Sequence, residues 1–294
     1  MSDFVRTHHT ISAFNTSNSW VILTEIEQSI KKKIETVGTP LKDWDIQINY
    51  GIKTGFNDAF IISTERRNEI LTNCKDKKEY ERTSDLIRPI LRGRDIKRYG
   101  YDWAGLWLIN THNGVKGKYA PIDINLYPAV KRHLDVYWKD ISKRDDRGIT
   151  PYNLRNCAYM DDFFKPKIIY PNMTKYMPFV FDTEHYMTNQ KCFIITGENM
   201  AFLTAFLNSS LFKYCFRDSF PELQGGTREL SKIFFDKIPV IQPDKETENK
   251  FRKLVTDIQN NFTIAKAKSI DQLIFDMYGL SKDERECIGY IEIK

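Results

Sequence analysis

Between residues 41 and 195 the apolar residues arrive in short runs separated by turns, whereas on either side they recur three and four apart. That change of period limits the architectures open to the chain. Asp45, Ile46, Gln47, Ile48, Asn49 and Tyr50 alternate as a half-buried strand does. The runs 59–62, 106–109, 167–171 and 192–195 are apolar and bounded by turn residues, so each reads as a further strand. Helical stretches are expected at 66–74 and 127–139. Strands and helices mixed without strict βαβ alternation predict an α+β fold with a mixed sheet.

The flanks read differently. Val21, Ile22, Ile26, Ile30, Ile34 and Val37 form one helical stripe over 20–37, stopped by Gly38 and Pro40. A second helix is expected over 199–217, with Asn199 as its N-cap, followed by a Gly225-Gly226 turn. A third covers 245–278, with Phe251, Leu254, Val255, Ile258, Phe262, Ala265, Ile270, Leu273, Ile274 and Met277 on one face and Gly279 at its end. Each stripe must be buried against something, so the N- and C-terminal helices are expected to pack together. The chain divides into a flexible arm, 1–19, a leading helix with the α+β domain, 20–198, and a helical region, 199–294.

Composition excludes several classes. With 41% hydrophobic residues the chain is not a disordered one. Its five cysteines are scattered without a C-x-x-C pair, which argues against a disulfide framework or a cysteine zinc site and for a reducing compartment. No signal peptide or membrane-length apolar run is visible, so no membrane partner is expected. Phosphate-loop, dinucleotide, serine-elbow and His-x-x-x-His patterns are missing, so no catalytic residue, cofactor or metal is expected. Asp244, Glu248 and Lys250 resemble a nuclease string, but they stand at a helix start, where acids cap and complement the dipole.

What remains is a binding signature. In 51–60, two glycines flank Lys53 and Thr54, with Asn57 following; the cation, hydroxyl and amide suit phosphate or base contacts. Residues 88–98 carry five cations against one acid, most of the net charge of +5. Arg92 and Arg94 flank Gly93. In an extended loop residues two apart point the same way, so both forks are expected to face one groove. The alternative is that one of them pairs with Asp95 or Asp58 as a brace. Lys97 and Arg98 are expected on phosphates, with Lys116, Lys118, Arg144 and Arg147 on further cationic loops. Thr174 and Lys175 lie in a mixed aromatic, amide and cationic segment, 170–176.

Together these strings resemble the TaqI-like C-terminal specificity domain of type IIG and related restriction-modification enzymes. Residues 51–60 follow its G-I-x-T-G-x-N-x-A-F, and 87–99 its I-x-P-x-L-R-G-x-D-I-x-R-Y. Residues 167–171, 178–181, 202–211 and 225–240 continue the likeness. The resemblance implies a bacterial, cytoplasmic target recognition domain that binds double-stranded DNA and serves an adenine methyltransferase or nuclease domain or subunit without catalysing anything itself. Lacking N-P-P-Y, the chain reads as the specificity module alone, a piece of a longer polypeptide or a separate subunit. The competing expectation is a protein-interaction subunit that docks a methyltransferase without reading sequence.

Overall fold

Five consecutive buried residues, Lys167–Pro171, put a strand at the centre of the molecule. The computed structural model describes residues 23–292. The expected arm 1–19 and the first residues of the helix expected from Trp20 lie outside them. The central strand belongs to an antiparallel sheet ordered Val180–Asp182, Lys167–Pro171, Cys192–Gly197, Ile46–Tyr50. Ile168, Tyr170, Phe193 and Ile195 face one core, while Ile169, Val180, Cys192 and Ile194 face another. A sheet covered on both faces loses the alternation of a half-buried one, which is why 167–171 and 192–195 read as continuous apolar runs.

The second core is closed by a four-stranded sheet ordered Met187–Thr188, Ile87–Leu91, Leu106–Ile109, Ile61–Ser63. Met187 and Thr188 run parallel to Ile90 and Leu91, and the other pairings are antiparallel, so the sheet is mixed as expected. The run 59–62 is not all strand: Asn57–Phe60 is a helical turn, and the strand begins at Ile61. The helix Lys77–Leu86 was not expected, because the side it buries is Glu79, Thr83 and Leu86, too polar to register as a stripe. The stretch 127–139 is two short helices, Pro128–Asp135 and Trp138–Ile141.

The first core is helical on its outer side and takes residues from Ile30 to Ile288. Helix Glu25–Val37 opens with a capping box between Thr24 and Glu27 and buries Ile30 and Ile34. Ile26 and Val37, expected on the same stripe, are exposed. The N- and C-terminal helices do pack together, through the last helix, Lys282–Ile288: Ser29 Oγ and Lys33 Nζ each donate to the Glu284 carboxylate at 2.7 Å. The expected helix 245–278 breaks into Lys245–Asn260 and Ile264–Met277, capped by Asp244 and Thr263. Phe262 falls in the break and is exposed. The expected helix 199–217 breaks into Met200–Leu207 and Ser210–Phe216, the second capped by Ser209.

Asn199 stands at the start of Met200–Leu207 in a left-handed conformation, φ 58°, and its side chain caps nothing. Glu248 does that work from another helix, accepting from the Ala201 and Phe202 N–H groups at 3.2 and 2.9 Å. Asp244 accepts from Thr247 N at 2.8 Å. The nuclease-like string is therefore occupied by two helix caps.

Candidate nucleic-acid interface

Three chain segments running in the same direction end side by side. Met187–Thr188 is parallel to Ile90–Leu91, and Ile52 forms a parallel bridge with Asn189. Their continuations are Lys53, the turn 189–191, and the turn 92–95, so residues distant in sequence meet at one edge. Gly51 permits the approach: a methyl at its Cα would overlap the Asn189 carbonyl oxygen. The Asn189 side chain accepts from Lys191 N at 3.1 Å and its carbonyl from Cys192 N at 2.9 Å, a tight turn that leaves Lys191 in solvent.

The turn after Leu91 is not extended. Gly93–Asp95 is a single helical turn. Asp95 is buried and accepts from Arg92 N at 2.8 Å, and it pairs bidentately with the Arg92 guanidinium at 3.1 and 2.8 Å. That pairing raises the Arg92 pKa. Arg92 and Arg94 both line one groove, but the Arg92 fork is already taken by Asp95. Arg92 is the brace, the alternative weighed from sequence, and Arg94 is exposed, with no side-chain partner among the described residues.

The hairpin that follows, Ile96–Lys97 with Gly100–Tyr101, sorts its residues the same way. Lys97 is exposed, 3.6 Å from the Asp102 carboxylate. Arg98 is not on the surface: only 4% exposed, it donates to the Asn208 carbonyl and Tyr290 hydroxyl, both at 2.8 Å. Tyr99, buried beside it, donates to the Ala205 carbonyl at 3.3 Å. These two side chains pin the hairpin to the helical core, and burial drives the Tyr99 phenol up, out of reach of ionisation.

An open groove lies between this turn and the segment beyond the central strand. It is lined by Arg94, Lys97, Thr174, Tyr176, Asn189 and Lys191, among others. Met173 and Tyr176 expose 48% and 43% of their surface there. Thr174 turns inward in part, its hydroxyl accepting from Tyr176 N and Met177 N at 3.1 and 3.2 Å. Lys175 is exposed and points towards Gly226. Tyr176 belongs to the segment 170–176 already expected to suit groove contact; Lys191 was not singled out from sequence, and the polar Asn-Gln-Lys turn before the run 192–195 was the available signal for it.

The remaining expected residues divide in the same manner. Thr54 is buried and donates to Asn57 Oδ1 at 2.6 Å, while Lys53 is exposed, with no side-chain partner among the described residues. Arg144 is a correction. It is buried, stacks 4.3 Å from the Phe60 ring, and donates to the carbonyls of Thr54, Asp146, Pro151 and Asn153. Burial lowers its pKa to about 10. Lys116 is exposed; Lys118 pairs with Asp161; Arg147 is exposed and donates to the Ser142 carbonyl at 2.5 Å. The structure therefore brings Lys53, Arg94, Lys97 and Thr174 to one edge, holds Arg92 there against Asp95, and withdraws Arg98 and Arg144 into the scaffold.

Among the described residues no group of His, Cys, Asp and Glu could hold a metal ion, and no helix is long and apolar enough to cross a membrane. The fold is similar to that of part of two solved restriction-modification enzymes. It is similar to the type IIL enzyme MmeI, solved in complex with DNA, at a TM-score of 0.58 and 13% identity, over 83% of this chain and 34% of that one. It is also similar to the type IIG endonuclease BpuSI, at a TM-score of 0.50 and 14% identity, over 87% of this chain and 33% of that one.

The chain belongs to the TaqI-like C-terminal specificity domain family, whose model matches residues 88–240. A curated relative, the type II methyltransferase M.PaeR7I of Pseudomonas aeruginosa, is 19% identical over 280 residues, 94% of this chain. The chain spans 45% of that relative's length.

Proposed function

We propose that this chain reads a specific sequence in double-stranded DNA, as the non-catalytic target recognition module of a bacterial type II restriction-modification enzyme, and directs an adenine methyltransferase or nuclease domain or subunit to that site in the cytoplasm. The observation that carries the reading is the convergence of Lys53, Arg94, Lys97 and Lys191 on one edge, beside the exposed Tyr176. Arg94 is the base reader: its fork can take guanine O6 and N7 together. Lys53, Lys97, Lys191 and Lys175 are point charges suited to phosphates, with little base selectivity. Lys116, Lys118, Arg147, Thr174 and Asn57 complete the set of expected contacts. In this reading residues 20–198 supply the recognition surface, and 199–294 the helices that hold it.

The test is a selection of duplexes from a randomised pool, followed by binding measurements over a salt series. A short selected sequence, bound with an affinity that falls steeply as salt rises, supports the reading. No duplex binding at low salt, alone or with the cognate methyltransferase, refutes it. Unchanged site choice in the assembled enzyme after loss of Arg94 and Lys97 favours the protein-docking alternative.

A further inference from the structure

Ile149 exposes 71% of its surface at the tip of a loop whose every other part is fastened. An antiparallel bridge between Arg147 and Leu154 closes the loop. Gly148 N donates to the Asn153 carbonyl at 3.0 Å, and Ile149 N to Asn113 Oδ1 at 2.8 Å. Thr150 Oγ1 donates to Asn153 Oδ1 at 2.6 Å, and Arg144 holds the carbonyls of Pro151 and Asn153 from below. Holding a branched apolar side chain rigidly in water sacrifices the free energy its burial would release. The bracing means that little ordering entropy remains to be lost when a partner covers it.

The surroundings select the partner. Lys143 and Arg147 are exposed on the same loop, and Lys116 is exposed on the neighbouring loop that supplies Asn113. The carboxylates present are Asp145, which is exposed, Asp146, which is paired with Arg155 at 2.8 Å, and Asp135, which accepts from the Tyr152 hydroxyl at 2.6 Å and is paired with Lys131 at 2.8 Å. The loop packs against the turn 54–55, which follows Ile52 on its bridge to the groove-lining Asn189. Gly55, at φ +69°, brings its backbone against Asp146, where an added Cβ would lie 2.9 Å from the carbonyl oxygen. Arg144 ties this segment to the Thr54 carbonyl, one residue beyond Lys53. Lys53 thus stands between the groove and the braced loop.

We infer that residues 147–154 form a second contact on the duplex, in which Ile149 sits in a DNA groove against the base edges while Arg147 and Lys143 hold the flanking phosphates. The inference rests on the proposed DNA reading. Apolar side chains contact thymine methyl groups or lodge at unstacked steps, and they do so without releasing counterions.

The test compares the full chain with its Ile149→Ala and Arg147→Ala variants on the duplex selected by the parent. Ile149→Ala should bind about tenfold more weakly, with an unchanged salt slope and relaxed preference at one or two positions. Arg147→Ala should lower the salt slope by about one. Because Ile149 is exposed, its variant should melt within about 1 °C of the parent, separating lost contact from lost fold. Parent-like affinity and base preferences in Ile149→Ala overturn the inference and leave the DNA reading standing. Loss of methyltransferase binding with DNA binding intact overturns it in favour of a protein interface. Failure of the parent to bind any duplex overturns the DNA reading and the inference with it.

Discussion

Arg144→Ala separates a scaffold arginine from a DNA contact. The guanidinium serves four backbone carbonyls, those of Thr54, Asp146, Pro151 and Asn153, and stacks 4.3 Å from Phe60. Hydrogen bonds to a charged donor are worth about 1.5–3 kcal/mol each, but bonds sharing one donor group do not add, and the buried charge carries its own desolvation cost. Truncation leaves the carbonyls of Thr54, Asp146 and Pro151 without a donor, the Asn153 carbonyl with Gly148 N alone, and a void against Phe60, so the expected loss is about 3–5 kcal/mol. At about 2–4 °C per kcal/mol for a large domain, melting should fall by roughly 6–20 °C. Arg144→Lys should recover little, because one ammonium cannot span four carbonyls held by a planar fork. Thermal melting and denaturant titration measure the loss. The salt dependence of DNA binding should keep its slope, since no phosphate contact is removed. A variant that melts within about 1 °C of the parent, or whose salt slope drops by about one, refutes the reasoning.

Arg94→Ala should weaken binding to the selected duplex by about 1–3 kcal/mol and relax choice at one base pair, while Lys97→Ala weakens all sequences alike; competition binding distinguishes the two. Neither should shift melting, because both side chains are exposed. Gly51→Ala forces a methyl onto the Asn189 carbonyl oxygen and should destabilise by about 1–3 kcal/mol, read by denaturant titration. Glu248→Ala removes the cap from Ala201 and Phe202 and should cost about 1–3 kcal/mol, with no change in any magnesium-dependent cleavage of DNA. Burial alone would raise the Glu284 pKa, but hydrogen bonds from Lys33, Ser29 and Ser281 N overcome it and hold the carboxyl at about 2, below its ordinary 4.5. A carboxylate with a lowered folded pKa stabilises fully above 4.5 and loses that contribution as pH falls towards 2. Acid titration should therefore loosen the contact between the first and last helices across that window, and Glu284→Gln should flatten the dependence.

The strands at 46–50, 106–109, 167–171 and 192–197, and the terminal amphipathic helices, were legible because they depend on local period, which the chain carries residue by residue, whereas the strand 87–91 was read only as part of a cationic motif. The motifs of 51–60 and 87–99, read separately from sequence, come together at one edge of the molecule. Helix breaks at 208–209 and 261–263 were not legible, since a cap such as Ser209 or Thr263 inside a continuous apolar stripe looks like one more polar residue. Helix Lys77–Leu86 was hidden by burying Glu79 and Thr83.

Within the candidate site, the sequence alone determined that cations would cluster there. Which of them reach solvent was decided by tertiary structure, because arginine is equally able to read a base, grip a phosphate or satisfy buried oxygens. Asp95 claims Arg92, the Asn208 carbonyl claims Arg98, and four loop carbonyls claim Arg144. Those acceptors come from turns and helix ends that only folding brings within reach. Lys191 joined the groove for the same reason: a parallel pairing between segments about a hundred residues apart leaves no trace in either one's local pattern.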